Sequence, residues 1–327
     1  MDDVSAIVVT ALEERLADSY LMANQPRGLP ERVADKAELA RVCRATGVPH
    51  PTTVIPESGA EAAAAAVELG APVVAKWSRP WLLPRAAGLR STTLIHTPDE
   101  ARALYEHSGR AGSRLLLQRH LAGGRDTDWF FHGCFGEGSV CLIGGAGRKE
   151  LSWPVGTGLT AVGTWLPNEE VEATSRKLAE QLGYRGILDL DFRRDHTTGT
   201  YHLLDFNPRP GAQFRLFTDG AGLDVVRALH LDLTGRQVEI PMPRPGRVFV
   251  AENYALLSGM ATAAAAAPRS RTRPSARTKR LYRAPETAWF ASDDPAPFAA
   301  MAAAWLGRGG MKGLRRLRPR PTAVAAL

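Results

Sequence analysis

The sequence predicts an α+β fold divided into subdomains, and three observations predict it. Segments with helical spacing alternate with short apolar runs of strand length along most of the chain. Two of those runs, GILDLDFRRD and TYHLLDFNP, flank the turn sequence DHTTGT and read as a hairpin. At 327 residues, 44% of them hydrophobic and 23% charged, the chain can bury two sub-cores.

The first thirty or so residues hold an apolar run, SAIVV, expected as a strand, and then a helical pattern, ALEERLADSYLM, with Leu12, Leu16 and Leu21 one or two turns apart. A second helix runs through DKAELARVCRATG, capped by Asp35 and stopped by Gly47, with VPHPTTVIP extended after it. An Ala-rich helix over 60–69 then leads into the strand APVVAKW. The loop AAGLRST, the strand TLIH, a helix from Asp99 and the strand RLLLQRHL follow. Beyond Gly124, WFFHGCF and SVCLIGG read as a hairpin, and a loop rich in Gly, Trp and Pro is expected through residue 165. The helix EEVEATSRKLAEQLG feeds the acidic hairpin, and further helix and strand run to Tyr254. AAAAAPRSRTRPSARTKR has the composition of a flexible linker, and a last helix is expected around Ala299 to Leu306.

Composition excludes several classes. No run of about eighteen uncharged apolar residues occurs, and MDDVSAIVV opens with acids where a signal peptide carries Lys or Arg, so a soluble, cytoplasmic protein without a membrane span is expected. Cys43, Cys134 and Cys141 form no CxxC pair that would suggest zinc or redox work. The net charge is +7, but from Ala261 onward thirteen Lys and Arg face three Asp and Glu, a net of +10, so the preceding residues sum to 7 − 10 = −3. A slightly acidic body with a basic tail gives no reason to expect a specific nucleic-acid site in the body.

The chemistry concentrates in the acidic hairpin. Leu188, Leu190 and Phe192 alternate with Asp189, Asp191 and Arg193, while Leu204 and Phe206 alternate with Leu203, Asp205 and Asn207. If the turn centres on Thr198, Asp191 faces Asp205 and Asp189 faces Asn207 on one side of the sheet. Opposed carboxylates repel, and a bound cation removes the conflict. Their hard oxygens with the Asn207 amide suit Mg²⁺, which keeps waters and binds phosphate oxygens, and so point to a nucleoside triphosphate. A solvated acidic face is the plainer alternative. Pro208 and Pro210 in DFNPRPG mark the strand end.

LLDFNPRPG preceded by LDLDF resembles the metal-binding signature of the ATP-grasp superfamily, most closely its carboxylate–amine ligase branch. The likeness covers about residues 31 to 255, through the segment DKAELARVCRATGVPHPTT, the Lys76 strand, the QRHLAGG hinge and GYRGILDLDF. It implies an ATP-grasp fold, two α+β subdomains gripping ATP, with a remnant of the preceding Rossmann-like domain. The segments expected are a remnant over 1–34, a small lid over 35–118, a large subdomain with the metal site over 119–260, a basic linker over 261–280 and a basic, partly helical tail over 281–327.

By that resemblance the cofactors are ATP and Mg²⁺, with Asp191, Asp205 and Asn207 as metal ligands and Asp189 an extra acid of open role. Lys76 would contact an ATP phosphate. Gly88 and Arg90 would belong to a flap over the phosphates, Ala86 to Ser91, that carries a single glycine. Gln118, Arg119 and Leu121 would read the adenine at the hinge, and Asp126 or Asp128 would accept from the ribose hydroxyls. Arg148 is favoured over Lys149 as the cation facing the transferred phosphoryl group. Arg209, with Arg215 as a further candidate, would steer the substrate carboxylate. His120, His132 and His202 are expected to pack or face solvent rather than catalyse.

The implied reaction joins a small-molecule carboxylate to an amine through an acyl-phosphate. Relatives of this kind carry a complete domain where this chain has about thirty residues. A start downstream of the natural initiator, a partner or second copy that supplies the surface, and lost activity all remain open. The rival readings are a carboxylase, a kinase, and a non-catalytic protein binding nucleic acid or membrane through its basic tail.

Overall fold

Two sheets organise the chain, and the structure, a computed structural model, describes residues 2–84, 88–124, 126–156, 158–265 and 285–317. The N-terminal segment forms helices α1 (Asp3–Ala11), α2 (Glu13–Leu16), α3 (Leu29–Ala34) and α4 (Lys36–Thr46). The strand expected over SAIVV is therefore a helix. Asp2 caps it, its carboxylate accepting from the Ser5 N–H at 2.8 Å, and a helix satisfies its backbone groups locally, without a neighbouring strand. α4 begins and ends as expected: Asp35 accepts from the Ala37 and Glu38 N–H groups at 2.9 and 3.3 Å, and Gly47 closes it with a left-handed φ of 68°.

The smaller sheet has the order β1 (Thr53–Val54), β4 (Leu115–Arg119), β2 (Val73–Trp77), β3 (Thr92–Ile95), with antiparallel pairing throughout. Helices α5 (Gly59–Glu68), α6 (Pro98–Glu106) and α7 (Ser108–Ala111) belong to the same unit. Val73, Ala75 and Trp77 of β2 enter a core with Ala62, Leu115 and Leu117. Alternation along the strand then turns Lys76 to the opposite face.

The larger sheet is built from β5 (Asp128–Phe135), β6 (Cys141–Trp153), β7 (Leu159–Trp165), β8 (Gly186–Arg194), β9 (Tyr201–Asn207), β10 (Val248–Val250) and β11 (Glu286–Thr287), in the order β11-β10-β7-β6-β5-β8-β9. Helices α8 (Glu169–Leu182), α9 (Val225–Leu233), α10 (Glu252–Ala265) and α11 (Ala296–Leu317) complete the described α-helices. The loop expected up to residue 165 is a hairpin of long strands, β6 and β7. Glycines hide its alternation: a Cβ on Gly147 would lie 2.3 Å from the Phe130 ring, so the smallest residue lets the aromatic ring lie flat on the sheet.

The main core lies on one face of this sheet. Phe131, Leu188, Leu190, Phe192 and Phe206 meet Leu178 and Leu182 from α8, and Leu39, Val42 and Cys43 from α4. α4, grouped by sequence with the lid, thus packs against the large sheet. Of the linker expected over 261–280, residues 261–265 end α10 and the rest lies outside the described residues. Phe192 is 1% exposed at the centre of this core. Phe192→Ala should cost about 3–5 kcal/mol of unfolding free energy, read as a lower denaturant midpoint.

Candidate functional site

The acidic hairpin pairs in the register expected from the turn. Asp191 stands opposite Asp205, and Asp189 opposite Asn207. One detail differs: a bulge after Asp191 pairs Phe192 with Leu203, so Leu203, not Leu204, joins the core beside Phe206. Leu204 is displaced to the other side, where its carbonyl accepts from Lys76 Nζ at 3.2 Å.

Three lysines from three elements converge on the two carboxylates. Lys76 arrives from β2, Lys149 Nζ from β6 lies 2.7 Å from Asp191 Oδ1, and Lys36, the first residue of α4, pairs with Asp205. A cation on the first turn of a helix is disfavoured by the helix dipole by about 0.3–1 kcal/mol, which the Asp205 pair offsets. Lys36 is set in place by its neighbour. Asp35 is 1% exposed, accepts from Ser78 Oγ and from Arg79 Nε at 2.9 Å, and so ties the start of α4 to the end of β2. Burial pushes the Asp35 carboxyl up, yet Arg79, Ser78 and the cap N–H groups outweigh it and hold the carboxyl below the usual range.

The electrostatics differ across the pair. Burial raises Asp191 above the ordinary carboxylate range, with Asp189 and Asp205 adding to the rise and Lys149 opposing it. Burial also acts upward on Asp205, but Lys36 and Lys76 outweigh it and hold that carboxyl low. Lys76 is pulled down by burial against the attraction of Asp205. Burial works against the Lys149 charge too, yet Asp191 more than offsets it and the amine is raised. The ensemble holds three cations against two carboxylates, a net of +1.

Lys76, Lys149, Asp191 and Asp205 line a cavity of 120 Å³ together with Gln118, Leu121, Asp128 and Arg193, while Lys36 reaches Asp205 from outside its lining. Gln118 donates to Thr53 Oγ1 at 3.0 Å. The Arg119 N–H donates to Thr52 O at 2.8 Å, and Leu121 O accepts from Arg193 at 3.2 Å. Of the flap residues, Ala86 and Ala87 lie outside the described residues, Gly88 has a left-handed φ of 65°, and Arg90 O accepts from Trp77 Nε1 at 3.0 Å.

Arg148, Asp126, Arg215 and Arg209 do not line this cavity. Arg148 sits on the strand face opposite to Lys149 and binds Asp126 and Glu150 at 2.7 and 2.8 Å, because neighbours on a strand point to opposite sides. Asp126 is thereby engaged outside the cavity, and Asp128, gripped by Arg193 at 2.6 and 2.9 Å, is the acid that lines it. Arg215 donates to Thr287 O at 2.7 Å and braces β11. Arg209 donates to Asp3 at 2.8 Å and to Asn207 Oδ1 at 3.3 Å, next to the hairpin end.

Asp189 has a structural partner. His132, fully buried, has its Nδ1 3.2 Å from Asp189 Oδ1, and its Nε2 accepts from the Gly211 N–H at 2.7 Å. Because Nε2 accepts, the ring proton sits on Nδ1 toward Asp189. The dyad anchors the PRPG loop. Lys36 and His132 were not picked out as site residues from sequence, since a lysine after a helix cap and a lone histidine on a strand are each ordinary features.

No protein-family model matches the chain, and no curated protein matches its sequence. Solved structures do match in fold. The biotin carboxylase domain dimer of Hydrogenobacter thermophilus 2-oxoglutarate carboxylase, in complex with MgADP, ADP and bicarbonate, matches with a TM-score of 0.57 at 19% identity, covering 73% of this chain and 54% of that one. N5-carboxyaminoimidazole ribonucleotide synthetase from Thermus thermophilus matches at 0.55 and 16% identity, over 73% of this chain and 62% of the other. Biotin carboxylase from Campylobacter jejuni, in a beta-gamma-ATP complex, matches at 0.58 and 13% identity, over 73% and 55%. The chain spans between half and two thirds of the length of these structures. The chain has the ATP-grasp fold. No described helix is long and apolar enough to cross a membrane.

Two outcomes follow from this geometry. A Cβ on Gly211 would lie 2.4 Å from Asp189 Oδ2 and from the His132 ring, both buried, so Gly211→Ala should lower stability by about 1–3 kcal/mol in denaturant unfolding. Lys36→Met removes the strongest attraction holding Asp205 low. A carboxyl whose folded pKa is depressed adds stability above its unfolded value of about 3.9 and loses it on acidification through the folded value. The variant should therefore be less stable than wild type by about 2 kcal/mol at neutral pH, with the gap narrowing below about pH 4, as read by urea unfolding at each pH.

Proposed function

We propose that the chain is an ATP- and Mg²⁺-dependent ligase that joins a carboxylate to an amine through an acyl-phosphate. The observation that carries this reading is the opposition of Asp191 and Asp205 beneath Lys36, Lys76 and Lys149. With a net charge of +1, the site fits a phosphate chain that brings its own divalent ion better than it fits a bare cation. Phosphate oxygens would draw the lysines off the carboxylates and leave the carboxylates facing the ion. Asp191, Asp205 and the Asn207 amide oxygen are hard donors that would hold Mg²⁺, which when bound supplies neutralising charge to the phosphate chain.

The chain's own residues account for the rest. Lys76 and Lys149 offset the charge that spreads over the transferred phosphoryl group. The substrate carboxylate oxygen bonds to the γ-phosphorus as the bond to the β-phosphate oxygen breaks, giving acyl-phosphate and ADP. Attack of an amine on the acyl carbon then forms the amide, releases phosphate and sheds a proton. Arg209 orients the carboxylate through its planar fork. The ATP-grasp fold and the nucleotide complexes of the matching structures support this reading. A carboxylase is the second reading, favoured by matching structures that include biotin carboxylases and a bicarbonate complex. It differs in that bicarbonate takes the place of the organic acid.

Hydroxylamine traps acyl-phosphates as hydroxamates and separates these readings. ATP-dependent hydroxamate formation with an organic acid is expected, and Asp205→Ala should lower it by about 10²-fold or more while circular dichroism stays unchanged. ADP release stimulated by bicarbonate alone would shift the assignment to the carboxylase. Turnover unchanged in Asp205→Ala would remove the metal assignment altogether.

A further inference from the structure

A second cavity, of 360 Å³, lies beside the Pro208–Pro210 loop. Val9 of α1, Leu21 and Met22 of the segment after α2, and Leu229 and Leu233 of α9 give it apolar walls, with Thr10, Glu13 and Gln25 as polar members. Val9 and Leu21 are 38% and 66% exposed, apolar surface at the cavity left open to solvent. Among the described residues the one cation that lines it is Arg209. That guanidinium makes three hydrogen bonds: Nη2 donates to Asn207 Oδ1 at 3.3 Å, at the end of the acidic hairpin, Nη1 to Pro210 O at 3.3 Å, and Nε to the Asp3 carboxylate at 2.8 Å. Asp3 is thus a carboxylate already seated on the arginine of an apolar cavity, supplied by the first residue of α1.

We propose that this cavity binds a small organic carboxylate with an apolar side chain, whose carboxylate replaces Asp3 on Arg209 while its side chain enters between α1 and α9. Size, lining and charge each select that class. An apolar cavity of about 150 Å³ holds a benzene, so this one holds a ligand of about a dozen non-hydrogen atoms. Its walls favour hydrocarbon, and a guanidinium fork in a partly buried setting favours a planar carboxylate over an amide or alcohol. Through its bond to Asn207, Arg209 links the cavity to the end of the acidic hairpin. This deepens the ligase reading by naming the class of acyl donor, and it rests on that reading for the donor role but not for binding.

Calorimetric titration of 4-phenylbutanoate and its neutral isostere 4-phenylbutanamide tests the site. The acid should bind wild type about tenfold or more tightly than the amide, and Arg209→Gln should lose that preference. Asp3→Asn removes the internal competitor and should tighten binding of the acid, and Val9→Trp, which fills the cavity, should abolish it. Should Arg209→Gln fail to fold, Arg209→Lys and Asp3→Asn carry the same comparison. Equal binding of acid and amide, acid affinity unchanged in Asp3→Asn and in the Arg209 variants, or absence of binding to both wild type and Asp3→Asn would overturn the proposal. MgADP titrated into the same samples distinguishes the two readings: nucleotide bound and acid ignored removes this cavity's role alone, whereas acid bound and nucleotide ignored removes the ATP-dependent reading and leaves the cavity.

Discussion

Two carboxylates held side by side on neighbouring antiparallel strands are the constraint on which the rest of this molecule depends. Asp191 and Asp205 cannot separate, because the residues between and behind them, Leu190, Phe192 and Phe206, are fixed in the main core. The repulsion is answered from outside the hairpin. A lysine from the small sheet, one from the start of α4 and one from β6 each bring a positive charge to the same place. The folded chain thereby ties its two sheets and α4 together at the two carboxylates.

This arrangement explains the tie between the two sheets. Lys76 bridges from β2 to the carbonyl freed by the bulge in β9, and Asp35 fastens α4 to Ser78 just beyond β2. A 120 Å³ cavity is small for a nucleotide, so a bound triphosphate requires the lysines and the small sheet to move back from the carboxylates. On the proposed reading, ligand binding is then an exchange of partners, lysine to phosphate and carboxylate to metal. The fixed part is the hairpin and its His132 anchor beneath the PRPG loop.

Much of the frame was legible because alternation and turn chemistry act locally. The Asp191 to Asp205 register followed from the turn, and the Asp35 cap and Gly47 stop marked α4. What escaped depended on distant partners or on single-residue irregularities. A bulge exchanged Leu203 for Leu204, strand parity put Lys149 at the cavity where Arg148 was favoured, and of Asp126 and Asp128 it is Asp128 that lines it. SAIVV reads as strand by β-branched content, yet a cap and local hydrogen bonding make it a helix. Glycines that seat Phe130 concealed the strands β6 and β7. Lys36 looked like an ordinary helix start, since only the tertiary structure brings Asp205 to it.

The most direct measurement is nucleotide affinity with and without Mg²⁺, compared between wild type and the double variant Asp191→Asn, Asp205→Asn. If the carboxylates hold the ion of a metal–nucleotide complex, Mg²⁺ strengthens ADP binding in wild type and fails to do so in the double variant, which keeps its three lysines and binds free ADP at least as well. The same Mg²⁺ dependence in both proteins would contradict the account.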